Sequence, residues 1–500
     1  MAVRTGDQYV QRLRQRSPEA WFGGERVANV TEHPAIAPAI QSIAKLYDLQ
    51  HDPELREIMV CADSDGVYGS SFLVPRSAAD LRKRRLMHQT WAEATFGIMG
   101  RSTDFMSAML TAWFINARFF GDHADNVRRY FRLVRDEDLF LTHALINPQV
   151  DRSKPPSQQP DPYTYLGVVG ETKEGLVVRG AKMLATAGPY ADEILVWPFG
   201  KHSPEDKKYA IAFAVPTNTK GLRLVCREPL TTGNVYDHPL ASRFDEMDAI
   251  VIFDDVVVPW ERVFINQDVE RVNNIFQVNS NAFTGHQTSI RLLAKLQFMA
   301  GLTILCTDAI QTSGNPVVQD MIGEVTTYIE LVRAAIVASE ATAQQAEDGV
   351  LVPNVTPLLA IRNSGNRWYP RVREIMQLLH GGGLMYQPAS VDVFDSPISG
   401  DVSKYYRGAT LGAEEKIKLF KAAADLAVSG FGGRHELYER FYAADPFILR
   451  VLTQYQNYDK SEAIALARKM LDGYDVKTGL EELRSAKGDQ TEALRPGAPR

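Results

Sequence analysis

The chain has 500 residues, with 55 Lys plus Arg against 61 Asp plus Glu and a formal net charge of −6. That balance lacks the basic footprint a polyanion partner leaves, which excludes nucleic-acid binding as the main function. Hydrophobic residues at 45% and charged residues at 23% exclude a disordered chain, and the length suffices for a large core.

Residues 1–148 read as a helical N-terminal domain. The first residues carry no apolar run behind their basic side chains, so no signal peptide is expected and the protein is read as cytoplasmic. No uncharged apolar run approaches the ~18 residues that span a bilayer, so no membrane partner is expected. Residues 105–120 are strongly apolar, and helical spacing puts Met106, Met109, Leu110, Trp113 and Phe114 on one face. Asp104 would cap that helix or serve as its first-turn acid.

The texture changes after Pro148. Residues 151–162 hold four prolines and read as a loop. Short β-prone runs follow at 165–169, 176–180, 193–198, 209–215, 222–226, 249–253 and 256–259. No helix of ten or more residues fits between them, so residues 149–268 form an antiparallel β domain rather than a Rossmann domain. From residue 269 to 482 the helical period returns, with Ile290, Leu293, Ala294, Phe298, Gly301, Leu302 and Leu305 in one repeat. Residues 483–500 read as a polar, frayed tail. The fold class is α+β, mostly α.

Familiar short motifs are missing: no P-loop, no GxGxxG after a strand, no GxSxG elbow and no HExxH. HGGG at 380–383 lacks the nucleophile elbow an esterase needs. Cys61, Cys226 and Cys306 lie far apart, so no disulfide framework, zinc ribbon or iron–sulfur cluster is expected, and no metal site.

Four longer strings carry more information: NPQVDRSKP (147–155), VVRGAKMLATAGPYADEILV (177–196), DHPLASRFDEMDAIVIFDDVVVPWERVFI (237–265) and FGGRHELYERFY (431–442). Together they resemble the oxygenase component of two-component flavin-dependent phenol hydroxylases, the 4-hydroxyphenylacetate 3-monooxygenase family, in register over nearly the whole chain. The resemblance implies an acyl-CoA-dehydrogenase-like fold, with a helical N-domain, a central β domain and a C-terminal four-helix bundle, assembled as a homotetramer. It implies reduced FAD supplied by a separate NAD(P)H:flavin reductase, and molecular oxygen as co-substrate. A C4a-hydroperoxyflavin would insert one oxygen atom ortho to the hydroxyl of a small phenol, giving a catechol. Oxidative denitration or dehalogenation of a substituted phenol, or hydroxylation of a larger carrier-linked phenol, are the alternatives. A related dehydratase that uses an iron–sulfur cluster needs cysteines near 97–101 and 286–293, and this sequence has none there.

The resemblance also implies site residues. GRSTDF (100–105) matches the family's GRSPDY, so Arg101 would meet the phenol and the flavin edge, and Phe105 stands in place of a Tyr. His143 matches the histidine beside the phenolic hydroxyl, as base or hydrogen-bond donor, and His286 would face the flavin pocket. Phe199 and Gly200 fall where the family holds a carboxylate-binding Ser–Thr pair, which argues for a smaller or less acidic phenol. Ala185, Thr186 and Gly188 match the flavin-contacting turn, with Thr186 toward the flavin N5. Gln149, Arg152 and Gln158 would contact the flavin or its phosphates. Arg434, Glu436 and Tyr438 match flavin contacts made across a subunit boundary.

Overall fold

The computed structural model describes residues 3–64, 66–230, 232–278 and 280–493. It divides into two compact units, Met1–Ala443 and Ala444–Arg500.

The first unit opens with α1 (Gly6–Gln15), which Thr5 starts through a capping box with Gln8. α1 buries Tyr9 and Leu13, and the Tyr9 hydroxyl donates to the Tyr190 carbonyl at 2.7 Å. This contact ties the N-terminus to the turn that follows Thr186. Two short strands, β1 (Ala20–Phe22) and β2 (Glu25–Arg26), precede α2 (Ala37–Asp48), α3 (Ala78–Ala94), α4 (Thr103–Ile115) and α5 (Ala124–Asp136). α4 is apolar on nearly every side and is buried accordingly. Asp104 does lie in its first turn, yet its side chain is only 1% exposed.

The strands are β3 (Leu141–Ala144), β4 (Gly167–Glu171), β5 (Gly175–Thr186), β6 (Glu193–Val196), β7 (Ala212–Pro216), β8 (Leu222–Cys226), β9 (Asp248–Pro259) and β10 (Val263–Ile265). Of the two larger sheets, one runs β2-β1-β8-β9-β5-β4 and the other β10-β7-β6-β3. Pairs among strands after residue 165 are antiparallel. The β1–β8 and β3–β6 pairs are parallel, because β1 and β3 arrive from the helical region through long connections that permit it. The runs at 249–253 and 256–259 are one strand, β9. Its register shifts between Phe253 and Val256, and the extra residue lets Ala249, Val251, Phe253, Val256 and Val258 all face inward.

The helical part that follows is α6 (Ser280–Ala309), α7 (Pro316–Ala341), α8 (Val355–His380), α9 (Ala413–Ala427) and α10 (Gly430–Phe441). α6 is central, packing on α7, α8 and α9 and also on α3 and α4. Among the described residues, α6 alone has the length and apolarity to cross a membrane, but most of its apolar stretch is buried inside the protein. Its apolar character is that of a core helix.

The second unit is helical, with α11 (Ser461–Leu471) and α12 (Val476–Ala493) its longest elements. α12 continues past residue 483, where the sequence suggests a frayed tail. Propensity accounts for this: from 476 to 493 the chain lacks Pro and is rich in Leu, Glu, Lys and Ala.

Candidate active site

Arg101 sits in the turn between α3 and α4, and His143 on β3. The Arg101 Nε–H donates to His143 Nε2 at 3.1 Å. Its Nη1 donates to the Tyr438 hydroxyl at 2.6 Å and to the Gly100 carbonyl at 3.3 Å, and Nη2 donates to the Tyr442 carbonyl at 3.4 Å. The guanidinium also lies 4.1 Å from the Phe105 ring centroid. Among the described residues, every hydrogen-bond partner of this buried cation is neutral. Its neighbours differ, since Arg227, Arg291 and Arg434 each hold a carboxylate. A buried cation without a counter-charge favours an incoming anion or developing negative charge.

His143 lies between Phe105 (5.8 Å) and Trp197 (5.6 Å), ring centroid to centroid. Burial first, and then Arg101, hold its pKa well below the ordinary histidine value. Arg101 can only donate, so His143 Nε2 is the acceptor and the ring proton resides on Nδ1. Among the described residues that buried Nδ1 has no hydrogen-bond partner, so it can donate to a ligand. Phe105 supplies no hydroxyl. The phenolic oxygen that meets Arg101 comes instead from Tyr438, whose pKa burial pushes up to about 12 against the pull of Arg101 and Arg291. Close approach requires Gly100: a Cβ there would lie 2.2 Å from Tyr438 Cζ.

The turn after β5 lies beside this cluster through β3, where Thr142 donates its hydroxyl to the Thr186 carbonyl. Ala185 and Gly188 are buried and small, and Ala187 adopts a left-handed φ of 65°. The Thr186 hydroxyl donates to Asp248 Oδ1 at 2.6 Å. Its hydrogen is therefore committed, and its lone pairs can only accept. A ligand N–H, such as the N5–H of reduced flavin, matches that polarity. Burial alone would raise the Asp248 pKa, but Arg434 and Arg227 bring it down to about 2, so the acceptor stays ionised.

The other expected residues make different contacts. Gln149, Arg152 and Gln158 are exposed on the loop after β3, and Gln159 is the buried member, donating to the Asp151 and Lys154 carbonyls at 2.9 and 3.0 Å. Phe199 is 38% exposed and a Cβ on Gly200 would meet nothing within 4 Å, so both lie at the surface beyond β6. His286 is buried on α6. Its Nε2 bonds Glu340 at 2.8 Å and its ring stands edge-on to His88 at 6.1 Å. Among the described residues no hydrogen bond links it to Arg101 or His143. Within this chain Arg434 pairs with Glu246 and Asp248, and Glu436 with Arg373 and Arg440.

Sequence reasoning missed Trp197, Glu246, Asp248 and Lys182. Trp197 was visible only as the last aromatic of a strand. Glu246 and Asp248 lie in the string DHPLASRFDEMD, whose acids look like ordinary surface charges until the fold buries them.

Comparison with known proteins matches this architecture at two levels. The model of the 4-hydroxyphenylacetate 3-hydroxylase N-terminal family covers residues 5–265, and that of its C-terminal family covers residues 273–472. The chain is 44% identical over 460 residues to the 4-hydroxyphenylacetate 3-monooxygenase oxygenase component of Thermus thermophilus, covering 92% of this chain and 95% of that one. It is similar to a crystal structure of such an oxygenase component complexed with FAD and 4-hydroxyphenylacetate, with TM-score 0.91 and 43% identity, covering 94% of this chain and 98% of the other. A 4-hydroxybutyryl-CoA dehydratase from N. maritimus shares the fold at TM-score 0.84 with 22% identity, covering 95% of this chain and 96% of that one. The α+β, mostly α, fold is thus shared with these structures, and the chain belongs to the 4-hydroxyphenylacetate 3-hydroxylase family.

Proposed function

We propose that this protein is the oxygenase component of a two-component, FAD-dependent monooxygenase that hydroxylates a small phenol ortho to its hydroxyl, giving a catechol. The observation that carries the reading is Arg101, a buried guanidinium whose hydrogen-bond partners among the described residues are all neutral, set beside His143 and Phe105. Ortho attack becomes easier as the phenol approaches phenolate, and a phenol with pKa near ~10 needs a cation to get there at neutral pH.

Bound reduced FAD, delivered by a separate NAD(P)H:flavin reductase, supplies the transferable oxygen after reacting with O2. The chain's own part is to bind, orient and keep water out. Arg101 holds the phenolic oxygen, and His143 donates to it from Nδ1. Phe105 and Trp197 flank the His143 ring and wall the pocket. Thr186 would accept from the flavin N5–H, and Ala185 and Gly188 would let backbone approach the ring. Tyr438 orients Arg101. Gln149, Arg152 and Gln158 would meet the flavin or its phosphates, and their exposure on the loop after β3 leaves their side chains accessible to it. The lack of a side-chain donor at Phe199 and Gly200 supports a phenol smaller or less acidic than 4-hydroxyphenylacetate, whereas their surface position favours the second reading, a larger carrier-linked phenol.

Residues 1–148, 149–268 and 269–482 serve as helical, β and bundle domains of a homotetramer in the cytoplasm. Leu305, Leu331 and Val337, exposed on the bundle helices, support the assembly, which light scattering tests. For the activity, protein is mixed anaerobically with reduced FAD, then with oxygenated buffer and a panel of phenols, and products are analysed by mass. A product heavier by one oxygen is expected. Peroxide without product from every phenol would overturn the reading.

A further inference from the structure

Arg101 and Thr186 are far apart in sequence but joined by buried charges. The Arg101 backbone N–H donates to Glu246 Oε1 at 2.6 Å. Glu246 Oε2 accepts from Arg434 Nη1 at 3.0 Å. Arg434 Nε and Nη2 then donate to Asp248 at 3.1 and 2.9 Å, and Asp248 Oδ1 accepts the Thr186 hydroxyl at 2.6 Å. Arg227 closes the cluster from outside, donating to Asp248 at 2.9 Å and to the Glu246 carbonyl at 2.9 Å. Glu246 is 0% exposed, so its charge needs these partners to stay buried.

We propose that Glu246 and Arg434 are positioning residues, a brace that fixes the phenol-binding Arg101 relative to the Thr186 turn, with Arg434 acting through its two carboxylates rather than on the flavin. This rests on the functional reading above. Arg434 holds one oxygen of Glu246 and both oxygens of Asp248, and each carboxylate also has a bond to one half of the site. Glu246 grips Arg101 at its backbone, which leaves the guanidinium unneutralised for substrate. A carboxylate on the guanidinium would have cancelled the charge the reaction uses. The brace thus sets the position of Arg101 without occupying it.

The test uses the full-length protein without flavin and 4-nitrophenol, whose visible band appears on ionisation. Wild type is expected to bind it and to lower its apparent pKa through Arg101. Glu246→Ala removes the acceptor of the Arg101 N–H and should weaken nitrophenol binding about tenfold, with loss of the ionisation shift. Glu246→Gln retains an oxygen for that N–H and should recover to within about threefold. Arg434→Met should behave like Glu246→Ala although Arg434 touches no phenol, and Arg434→Lys should be milder. Circular dichroism establishes that each variant is folded; where Arg434→Met is not, the two Glu246 variants decide. Folded Glu246→Ala that binds and ionises nitrophenol like wild type would overturn the brace. Failure of wild type itself to shift nitrophenol would instead strike the role of Arg101, and the brace would fall with it. Reduced-FAD affinity separates the alternatives further: a loss of more than about tenfold in Arg434→Lys, with nitrophenol ionisation intact, would make Arg434 a direct flavin contact and overturn the proposal.

Discussion

The Arg101 Nε–H points at His143 Nε2 across 3.1 Å, and this contact decides what His143 can do. An acceptor occupied by a guanidinium is not free to take a substrate proton, so the histidine acts as a donor through Nδ1. His143→Ala should therefore lower the product formed per oxygen consumed by about tenfold or more, the range for losing one donor to developing negative charge. Reduced-FAD affinity should change little, because His143 is assigned to the phenol. The measurement compares catechol with hydrogen peroxide released; unchanged partition would remove His143 from the site.

The same contact predicts a missing inflection. Burial and Arg101 both disfavour the imidazolium, so the folded pKa lies well below the ordinary value. A group with a lowered basic pKa stays neutral as pH falls through its usual range. Coupled product yield should then be flat from about pH 8 down to about pH 6, with no step near ~6.5 from His143. A wild-type step near that value that vanishes in His143→Gln would contradict the assignment.

Gly100 is a structural test of Tyr438. A Cβ at Gly100 would lie 2.2 Å from Tyr438 Cζ and 2.3 Å from its hydroxyl oxygen. Gly100→Ala should push the Tyr438 ring away and break its 2.6 Å bond to Arg101. Loss of a hydrogen bond to a charged group costs about 1.5–3 kcal/mol, so the Michaelis constant for the phenol should rise roughly tenfold or more. Tyr438→Phe should reproduce most of that loss without a steric change. If Gly100→Ala impairs the enzyme and Tyr438→Phe does not, the contact is packing alone.

The α, β, α order was legible because periodicity changes sharply at Pro148 and again near residue 269. The bulge in β9 was not, since Asp254 and Asp255 look like a loop between two strands until both apolar halves are seen on one face. Arg101 and His143 were reached through resemblance, not through spacing. Glu246, Asp248 and Arg434 were out of reach as a group: their link to Arg101 spans up to several hundred residues of sequence and exists only after α10 packs on the β domain. Propensity and pattern report local structure, whereas the charge pairing of a buried site is a tertiary fact.

Lys182 presents the clearest stability test. It lies on the inner face of β5, 3% exposed, and its ammonium donates to the Leu145 carbonyl at 3.0 Å and to Asn147 Oδ1 at 2.7 Å. Neither partner is charged, and burial drives its pKa down to about 7. The sign follows from proton uptake. Between the folded value near 7 and the ordinary value of 10.5, the unfolded chain binds more protons than the folded one. Stability from this residue therefore rises with pH across that window, by up to about 1.4 kcal/mol per pH unit. Lys182→Met should flatten the rise while leaving the Leu145 carbonyl short of a donor. Since Leu145 and Asn147 lead from His143 into the loop of Gln149 and Arg152, the variant should also weaken reduced-FAD binding. Urea unfolding of both proteins between about pH 7 and pH 10 measures the slope. Equal slopes would mean that Lys182 keeps its proton in the folded protein, and that the interior around Leu145 and Asn147 solvates the charge better than its burial suggests.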